Sequence, residues 1–323
     1  MKRLAVLTSG GDAPGMNSAI RAIVRLGVAS GFEVFGVRHG YTGLIAGDFV
    51  SLGSRHVGGV MERGGTFLGT TRCLDLMTEA GQEQALGRLR DRGIHDLVVI
   101  GGGGSQSGSH ALSCRGLSVV GVASTIDNDI VGSDLTIGAT TAIDVALESV
   151  DRLRVTAASH RRVFLVEVMG RDCGYLAANV GIASGAEVIV VPESPVEPES
   201  IAMDIHAAYE RGKSHAITVV AEGARYNAEA LADYFRRHQA RLGFDLRVCK
   251  LGHVQRGGAP GVVDRMLAIR LSAAAIAQID AGHTGVLVGS VEGKIVATPL
   301  AEVAGRKKRL DPELLKLARV LAQ

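Results

Sequence analysis

Short apolar runs rich in Val, Ile and Leu recur along this chain. Between them lie longer stretches whose apolar residues return about every three to four positions, the spacing of an amphipathic helix, whereas the short runs have the character of buried strands. The pattern predicts strands over residues 4–7, 33–37, 97–100, 117–122, 163–168, 187–191, 216–221 and 246–250, with two short ones over 285–289 and 294–297. Helices are predicted over residues 18–28, 82–91, 138–158, 199–211, 228–241, 261–281 and 312–321, with a further one ending near Ser184. Strand and helix alternate throughout, and polar or glycine turns follow most strands. That order specifies an α/β fold with mostly parallel sheets. There is no short-period repeat, low-complexity tract or long linker. Two lobes, with the chain crossing between them more than once, fit this organisation.

Composition narrows the class. A chain of 323 residues is long enough for about two domains. Hydrophobic residues at 46% and charged residues at 21% are those of a soluble globular protein. A net charge of only +2 gives no electrostatic case for nucleic acid or membrane binding, and the lack of tryptophan argues against a base-stacking surface. No apolar run reaches membrane-spanning length. Met1-Lys2-Arg3 leads straight into the first strand and is broken by glycine too soon for a signal peptide. Cys73, Cys114, Cys173 and Cys249 are far apart and lack metal-ligand spacing, so reduced thiols in a cytoplasm are expected. The 43 glycines gather at the ends of apolar runs, where tight strand-to-helix turns need them.

The chemistry lies in those turns. Thr125-Ile126-Asp127-Asn128-Asp129 follows the strand predicted over 117–122 and carries two carboxylates one residue apart. One carboxylate can take a proton from a hydroxyl while the other faces a metal or orients the first. The same residues also suit an Asx-rich turn. Thr8-Ser9-Gly10-Gly11-Asp12 joins a strand to a helix, where backbone N–H groups and the helix dipole favour an anion, although an ordinary tight turn explains a lone Gly-Gly better. Gly101-Gly102-Gly103-Gly104-Ser105 reads as a loop that lets phosphate approach the backbone, since a flexible linker rarely begins on a core strand. Tyr41 is expected in the turn after the second strand, and Arg72 in the glycine-rich loop over 64–73. Arg162, Arg171, Arg247, Arg256 and His253 supply groups that can bind phosphate. Arg21 and Arg25 share one helix face, and on spacing alone a solvated surface explains them. A nucleotide donor beside a sugar-phosphate acceptor would need this mixture, because phosphoryl transfer depends on positioning and charge neutralisation.

Taken together and in order, these motifs resemble those of the bacterial ATP-dependent 6-phosphofructokinases over essentially the whole chain. The segments that carry the resemblance are Thr8 to Asn17, Thr125 to Asp129, Val168-Met169-Gly170-Arg171 and Gly252 to Gly258. It implies two Rossmann-like three-layer lobes with mostly parallel sheets. Residues 1–138 with 255–304 would form the larger, ATP-binding lobe, and 139–254 with 305–323 the smaller, fructose 6-phosphate-binding lobe. Asp127 would be the base for the sugar 1-hydroxyl, and Arg171 would stabilise the transferring phosphoryl group, with Thr125 completing the catalytic set. Thr125, Met169, Gly170, Glu222, His253 and Arg256 would hold the sugar, and a neighbouring subunit would lend Arg162 and Arg247. Gly11, Tyr41, Arg72, Cys73, Gly102, Gly103, Gly104 and Ser105 would hold ATP, and Asp129 would serve Mg²⁺. The resemblance further implies a cytoplasmic homotetramer in glycolysis with a nucleotide or phosphoenolpyruvate effector. Arg21, Arg25, Arg154, Gly185, Glu187, Arg211, Lys213 and His215 match the effector site, with Arg211 where lysine is usual and Ser54 where arginine is common.

The chain departs from that pattern at the donor loop, where Gly103 stands in place of the aspartate that serves magnesium. Ala123-Ser124 replaces Pro-Gly, and Ala139-Thr140 replaces a bulkier pair. A catalytically weak paralogue acting as a phosphosugar- or nucleotide-binding regulatory subunit is the alternative these changes favour. A pyrophosphate-dependent enzyme would carry an aspartate at Gly104 and a lysine at Ser124, and has neither.

Overall fold

The structure is a computed structural model that describes residues 2–321. The chain divides into two compact units, Met1–Thr141 with Arg256–Lys308, and Ala142–Gln255 with Arg309–Gln323. In chain order the first unit opens with β1 (Lys2–Ser9), α1 (Met16–Ala29), β2 (Phe32–Val37), α2 (Gly40–Ala46) and β3 (Phe49–Leu52). It continues with α3 (Glu79–Asp91), β4 (Asp96–Gly101), α4 (Gly103–Cys114) and β5 (Ser118–Ala123), and then α5 (Ala139–His160) carries the chain into the second unit. There follow β6 (Val163–Val168), α6 (Tyr175–Ser184), β7 (Val188–Val190), α7 (Pro198–Glu210), β8 (Ala216–Ala221), α8 (Ala228–Arg237), α9 (Gln239–Leu242) and β9 (Leu246–Lys250). The first unit resumes with α10 (Val262–Asp280), β10 (Val286–Val291), β11 (Lys294–Pro299) and α11 (Leu300–Val303), and α12 (Pro312–Leu321) returns to the second.

The first unit is built on a seven-stranded sheet of order β11-β10-β5-β4-β1-β2-β3. Only the two edge pairs, β10 with β11 and β2 with β3, are antiparallel. Residues 4–9 of β1 and 97–101 of β4 are buried without a break, as strands covered on both faces must be, and the sequence there is correspondingly unalternating. Helix α1 buries Ala19, Ile20, Ile23 and Val24 and packs against α10. The second unit has a four-stranded parallel sheet of order β7-β8-β6-β9, with β8 wholly buried. Its core joins Leu165, Val190 and Val220 to Ile201 and Ile205 of α7 and Leu231 and Phe235 of α8. Asn227 caps α8 by accepting from Ala230 N–H at 3.0 Å. Among the described residues no helix is long and apolar enough to cross a membrane.

The alternating pattern located the predicted elements, and packing explains the differences. Gly103, Gly104 and Ser105, expected in a loop, open α4 (Gly103–Cys114), although its sequence GGSQSGSHALSC has no apolar stripe. Its small residues are what the tertiary contacts require: a Cβ at Gly108 would come within 2.8 Å of Leu76 and 2.9 Å of Tyr41. The buried Gln106 amide donates to the carbonyls of Val99, Gly101 and Val122, tying α4 to both strands beneath it. Tyr41 lies in α2 rather than in a turn, and that short helix is bounded by residues of positive φ, His39 before it and Gly47 after, with Gly40 at its first position also at positive φ. The helix predicted over 228–241 breaks at His238 into α8 and α9.

Candidate functional site

The arrangement in the first unit starts from strand register. Ser9 of β1 pairs with Gly101 of β4, and Gly101 pairs with Ala123 of β5, so three turns leave the carboxyl edge of the sheet side by side. The chain fills one side of β1 with β2 and β3 and then returns to place β4 on the other. The crevice between β1 and β4 is therefore a topological switch point, where open α/β sheets bind ligands.

Each turn is specialised. In the first, Gly10 has φ 86°, and the Arg256 guanidinium lies so close over Gly11 that a Cβ there would meet its Nη1 at 2.4 Å. Arg256 Nη1 donates to the Asp12 carbonyl at 2.7 Å. The loop over 64–73 is laced across this turn: Thr70 Oγ1 donates to Gly10 O at 2.8 Å, and Thr8 Oγ1 donates to Gly69 O at 3.0 Å. The loop leaves Arg72 exposed and Cys73 half-buried, followed by strongly exposed Leu74 and Met77. The second turn passes directly into α4, with Gly102 at the N-cap. No side chain caps this helix and its first turn holds no acid, while Cβ atoms at Gly103 and Gly104 would meet nothing within 4 Å. Backbone N–H groups at such an end, with the helix dipole behind them, favour an anion. The Tyr41 hydroxyl is spent beneath this end, donating to Ser105 O at 2.8 Å, and burial pushes its pKa well above the ordinary phenol range.

The third turn carries the carboxylates. Ile126, Asn128 and Ile130 are buried while Thr125, Asp127 and Asp129 are half-buried, so both aspartates lie at the partly accessible positions of the segment. Asn128 sits at φ 50°, a conformation that asparagine tolerates better than most residues. Its side chain donates to Asp134 O at 2.8 Å and accepts from Thr136 N–H at 3.0 Å, and Thr136 Oγ1 donates to Thr125 O at 2.7 Å. Lys308 N–H donates to Asp129 O at 2.8 Å. Gly102 abuts this turn, since a Cβ on it would lie 3.5 Å from Thr125 Cβ. Among the described residues no three His, Cys, Asp or Glu side chains form a ready metal cluster.

In the second unit the sequence-predicted residues fall at two opposite edges of one sheet. At the carboxyl edge, Met169, Gly170 and Arg171 follow β6, Glu222 follows β8, and His253 lies in the short helical turn Gly252–Gln255 after β9. Glu222 N–H donates to Val168 O at 2.9 Å and Gly223 N–H donates to Gly170 O at 3.1 Å, locking two of these turns together. Gly170 at φ 131° is required there, because a Cβ would lie 2.4 Å from Cys173 O. Arg162 and Arg247 are instead at the amino edge, roughly 20 Å away along β6 at about 3.3 Å per residue. There one carboxylate joins them: Asp245 accepts from Arg162 Nε at 2.6 Å and from Arg247 Nη1 at 2.7 Å. The Arg162 bond, foremost, holds the Asp245 carboxyl below its ordinary range.

The same amino edge carries most of the effector-type residues. Glu187 precedes β7 and is 3% exposed, accepting from Lys213 Nζ at 2.9 Å and Ile217 N–H at 2.6 Å. Arg154 donates to the Ser184 carbonyl beside Gly185, which ends α6 at φ 63°. His215 precedes β8, and burial lowers its pKa. Glu187 and Arg211 line a cavity of about 400 Å³ together with Asp204, Ala207, Leu315 and Ala318. Arg21 and Arg25 belong to α1 of the first unit, half-buried and exposed respectively. Sequence reading missed the side chains that hold the carboxylate turn, Thr136 above all. Nothing in its spacing shows that its hydroxyl turns back onto Thr125.

Three turns at adjacent strand ends, two of them rich in glycine, one opening an uncapped helix and one presenting two aspartates, define an α/β protein equipped to hold and act on phosphate groups. The sequence profile described as Phosphofructokinase matches residues 3–279, and the chain belongs to that family. It is 51% identical over 324 residues to ATP-dependent 6-phosphofructokinase 1 of Thermus thermophilus, covering 100% of both chains. It is 46% identical over 324 residues to the ATP-dependent 6-phosphofructokinase of Thermotoga neapolitana, again covering 100% of each. Among solved structures it superposes on phosphofructokinase from Pichia pastoris with a TM-score of 0.88 at 37% identity, over 94% of this chain and 35% of that longer one. The pyrophosphate-dependent phosphofructokinase from Marinobacter aquaeolei also gives 0.88, over 100% of this chain and 92% of that one, but at 21% identity it shares the fold alone.

Asn128→Ala tests the carboxylate turn. Alanine is strained at positive φ and leaves Thr136 N–H and Asp134 O without the amide, so a loss of about 1–3 kcal/mol is expected. Denaturant unfolding and amide exchange over residues 125–136 should register it, and an unchanged midpoint with unchanged exchange would remove Asn128 from this role.

Proposed function

We propose that this protein is an ATP-dependent 6-phosphofructokinase, transferring the γ-phosphoryl group of ATP to the 1-hydroxyl of fructose 6-phosphate. The observation that carries the reading is the register that sets the uncapped start of α4 beside the Asp127–Asp129 turn. Full-length identity with enzymes of that name supports it. Backbone N–H groups of Gly103, Gly104 and Ser105 would receive donor phosphates, and the bare surface at Gly104 leaves room for a nucleotide. Arg72, Cys73, Gly11 and Gly102 would line the nucleotide, with exposed Leu74 and Met77 offering apolar surface to its base. Tyr41 would act from below by holding Ser105.

Asp127 would accept the 1-hydroxyl proton as the oxygen attacks, with Thr125 beside it. Arg171 would neutralise charge on the phosphoryl group in flight, since transition-state charge there rests on equatorial oxygens. Met169, Gly170, Glu222, His253 and Arg256 would orient the sugar. Mg²⁺ fits the donors present: it commonly takes one or two carboxylates with phosphate and water oxygens, and Asp129 is half-buried on the turn beside α4. Bound there, the ion would offset the negative charge of the phosphates. The bare first turn of α4 is also what favours the second reading, a regulatory subunit that binds these ligands without turnover.

Arg162 and Arg247 stand at the edge of their sheet opposite Met169 and Arg171, so in one chain the two groups cannot serve one sugar phosphate. We place them in the site of a neighbouring copy, as a homotetramer would allow. The amino-edge cluster of Arg154, Gly185, Glu187, Arg211, Lys213 and His215 would receive a phosphorylated effector, with Arg21 and Arg25 contributed from α1.

Asp127→Ala should lower turnover by roughly 10²–10⁴-fold while fructose 6-phosphate still binds, because an alcohol is a poor nucleophile unless its proton is accepted. Steady-state assay with equilibrium binding checks this, and near-parent turnover would leave Asp129 as the next base to test. Replacing Arg162 or Arg247 by alanine should raise KM for the sugar more than it lowers kcat. A fully active monomer by mass measurement in solution would contradict the shared site. Gly103→Asp should fold normally, since Gly103 is outside the positive-φ set, has open space at its Cβ and opens a helix that favours an acid. It is expected to lower the magnesium requirement or raise the rate, a supporting metal contact being worth roughly 10–100-fold. Identical magnesium titrations for both proteins would show that this glycine does not limit catalysis.

A further inference from the structure

The chain leaves the first unit along α5, between Thr141 and Ala142. The start of that helix is held by a carboxylate from elsewhere in the same unit. Asp264, in the first turn of α10 and 0% exposed, accepts from Gly138 N–H at 2.7 Å on one oxygen. Its other oxygen accepts from Thr141 N–H at 2.7 Å and Thr141 Oγ1 at 2.6 Å. Thr141 Oγ1 in turn accepts from Gly261 N–H at 3.0 Å, closing a ring between the two helix starts. The corner has no slack. Gly138 sits at φ 104°, and a Cβ on it would approach Ala13 Cβ to 2.6 Å. From sequence alone Asp264 is an acid in the first turn of its own helix, a common surface preference. The fold instead turns it inward to a second helix start, where a carboxylate receives charge-assisted hydrogen bonds.

The other end of this corner is the carboxylate turn. Thr136, two residues before Gly138, holds Thr125 O through its hydroxyl and the Asn128 side chain through its N–H. Ile137 N–H donates to Ala123 O at 3.1 Å, and Ser124 Oγ donates to Ile137 O at 3.2 Å. Residues 136–141 are thus a short strut, fixed to Asp264 at one end and to the flanks of Asp127 at the other.

We propose that Asp264 is a positioning residue for phosphoryl transfer, fixing through the 136–141 strut where the Asp127 carboxylate stands. The proposal rests on the reading of Asp127 as the base. Asp264 is buried and meets no substrate, so its effect falls on the geometry of reaction, where a displacement of about 1 Å can cost on the order of 10²-fold.

The test compares kcat and both Michaelis constants for Asp264→Asn, Thr141→Val, Thr141→Ser and Asp127→Ala, with thermal melts of each. Asp264→Asn keeps the shape but turns an amide N–H₂ toward groups that donate. Its kcat is expected to fall about 10–100-fold with KM for ATP and fructose 6-phosphate near the parent values, the signature of a contact that matters only in the transition state. Thr141→Val should show a smaller loss of the same kind, and Thr141→Ser, which retains the hydroxyl, should restore parent turnover. If Asp264→Asn does not fold, the Val and Ser pair decides. Parent-level kcat in folded Asp264→Asn or, failing that, in Thr141→Val overturns the proposal, as does a Thr141→Ser protein no better than Thr141→Val. Asp127→Ala separates the two readings. If it retains turnover, the base assignment fails and this proposal with it. If it is inactive while Asp264→Asn is unaffected, only the positioning role fails.

Discussion

Parallel pairing sets Ser9 opposite Gly101 and Gly101 opposite Ala123, and the candidate chemistry of the first unit follows from that register. A slip of one residue in any of these strands would turn every buried side chain to the other face of the sheet, so the register is protected by the core itself. The glycines then act where backbones must approach. At Gly11 the absent Cβ lets the Arg256 guanidinium lie on the turn, and at Gly103 and Gly104 its absence leaves a helix start bare. The anion-binding character of this edge belongs to the backbone, and side chains serve mainly to hold the backbone in place.

The carboxylates are held the same way. Asp127 and Asp129 flank a residue in left-handed conformation whose side-chain amide both donates and accepts, and the carbonyls of Thr125 and Asp129 are held by Thr136 and Lys308. Thr136 lies just before the first crossing into the second unit, and Lys308 is the last residue before the third. Arg256, the first residue after the second crossing, holds Asp12. The second and third crossings thus end or begin on a residue that fixes one of the candidate turns. In the second unit the sheet separates the proposed roles by its edges. Sugar-type residues gather where the strands end, and the Arg162–Asp245–Arg247 bridge sits with the Glu187 cluster where they begin.

The architecture was largely legible because most of its strands are short, unbroken apolar runs with glycine or polar turns at their ends. Helix α4 was not, since a Gly- and Ser-rich segment is made helical by what lies against it: Tyr41, Leu76 and the carbonyls that Gln106 reaches. Helix α2 was hidden because its limits are set by left-handed residues rather than by an apolar period. For the site, the motif residues could be read as chemistry but not as geometry. The pattern revealed neither that Tyr41 points its hydroxyl into α4 nor that Asp245 bridges two arginines. Asp264 shows the limit most clearly, because a first-turn acid and the clamp of a distant helix look the same in sequence.

A nucleotide donor bound at the bare start of α4 and a sugar hydroxyl activated at Asp127 must together give turnover. The most direct measurement is the steady-state rate of the purified protein on fructose 6-phosphate with ATP and, separately, with pyrophosphate, across a magnesium series and with the bisphosphate product quantified. Fructose 1,6-bisphosphate is expected with ATP, formed faster than with pyrophosphate at equal concentration. Faster turnover with pyrophosphate, or binding of both ligands with no product from either donor, would contradict it.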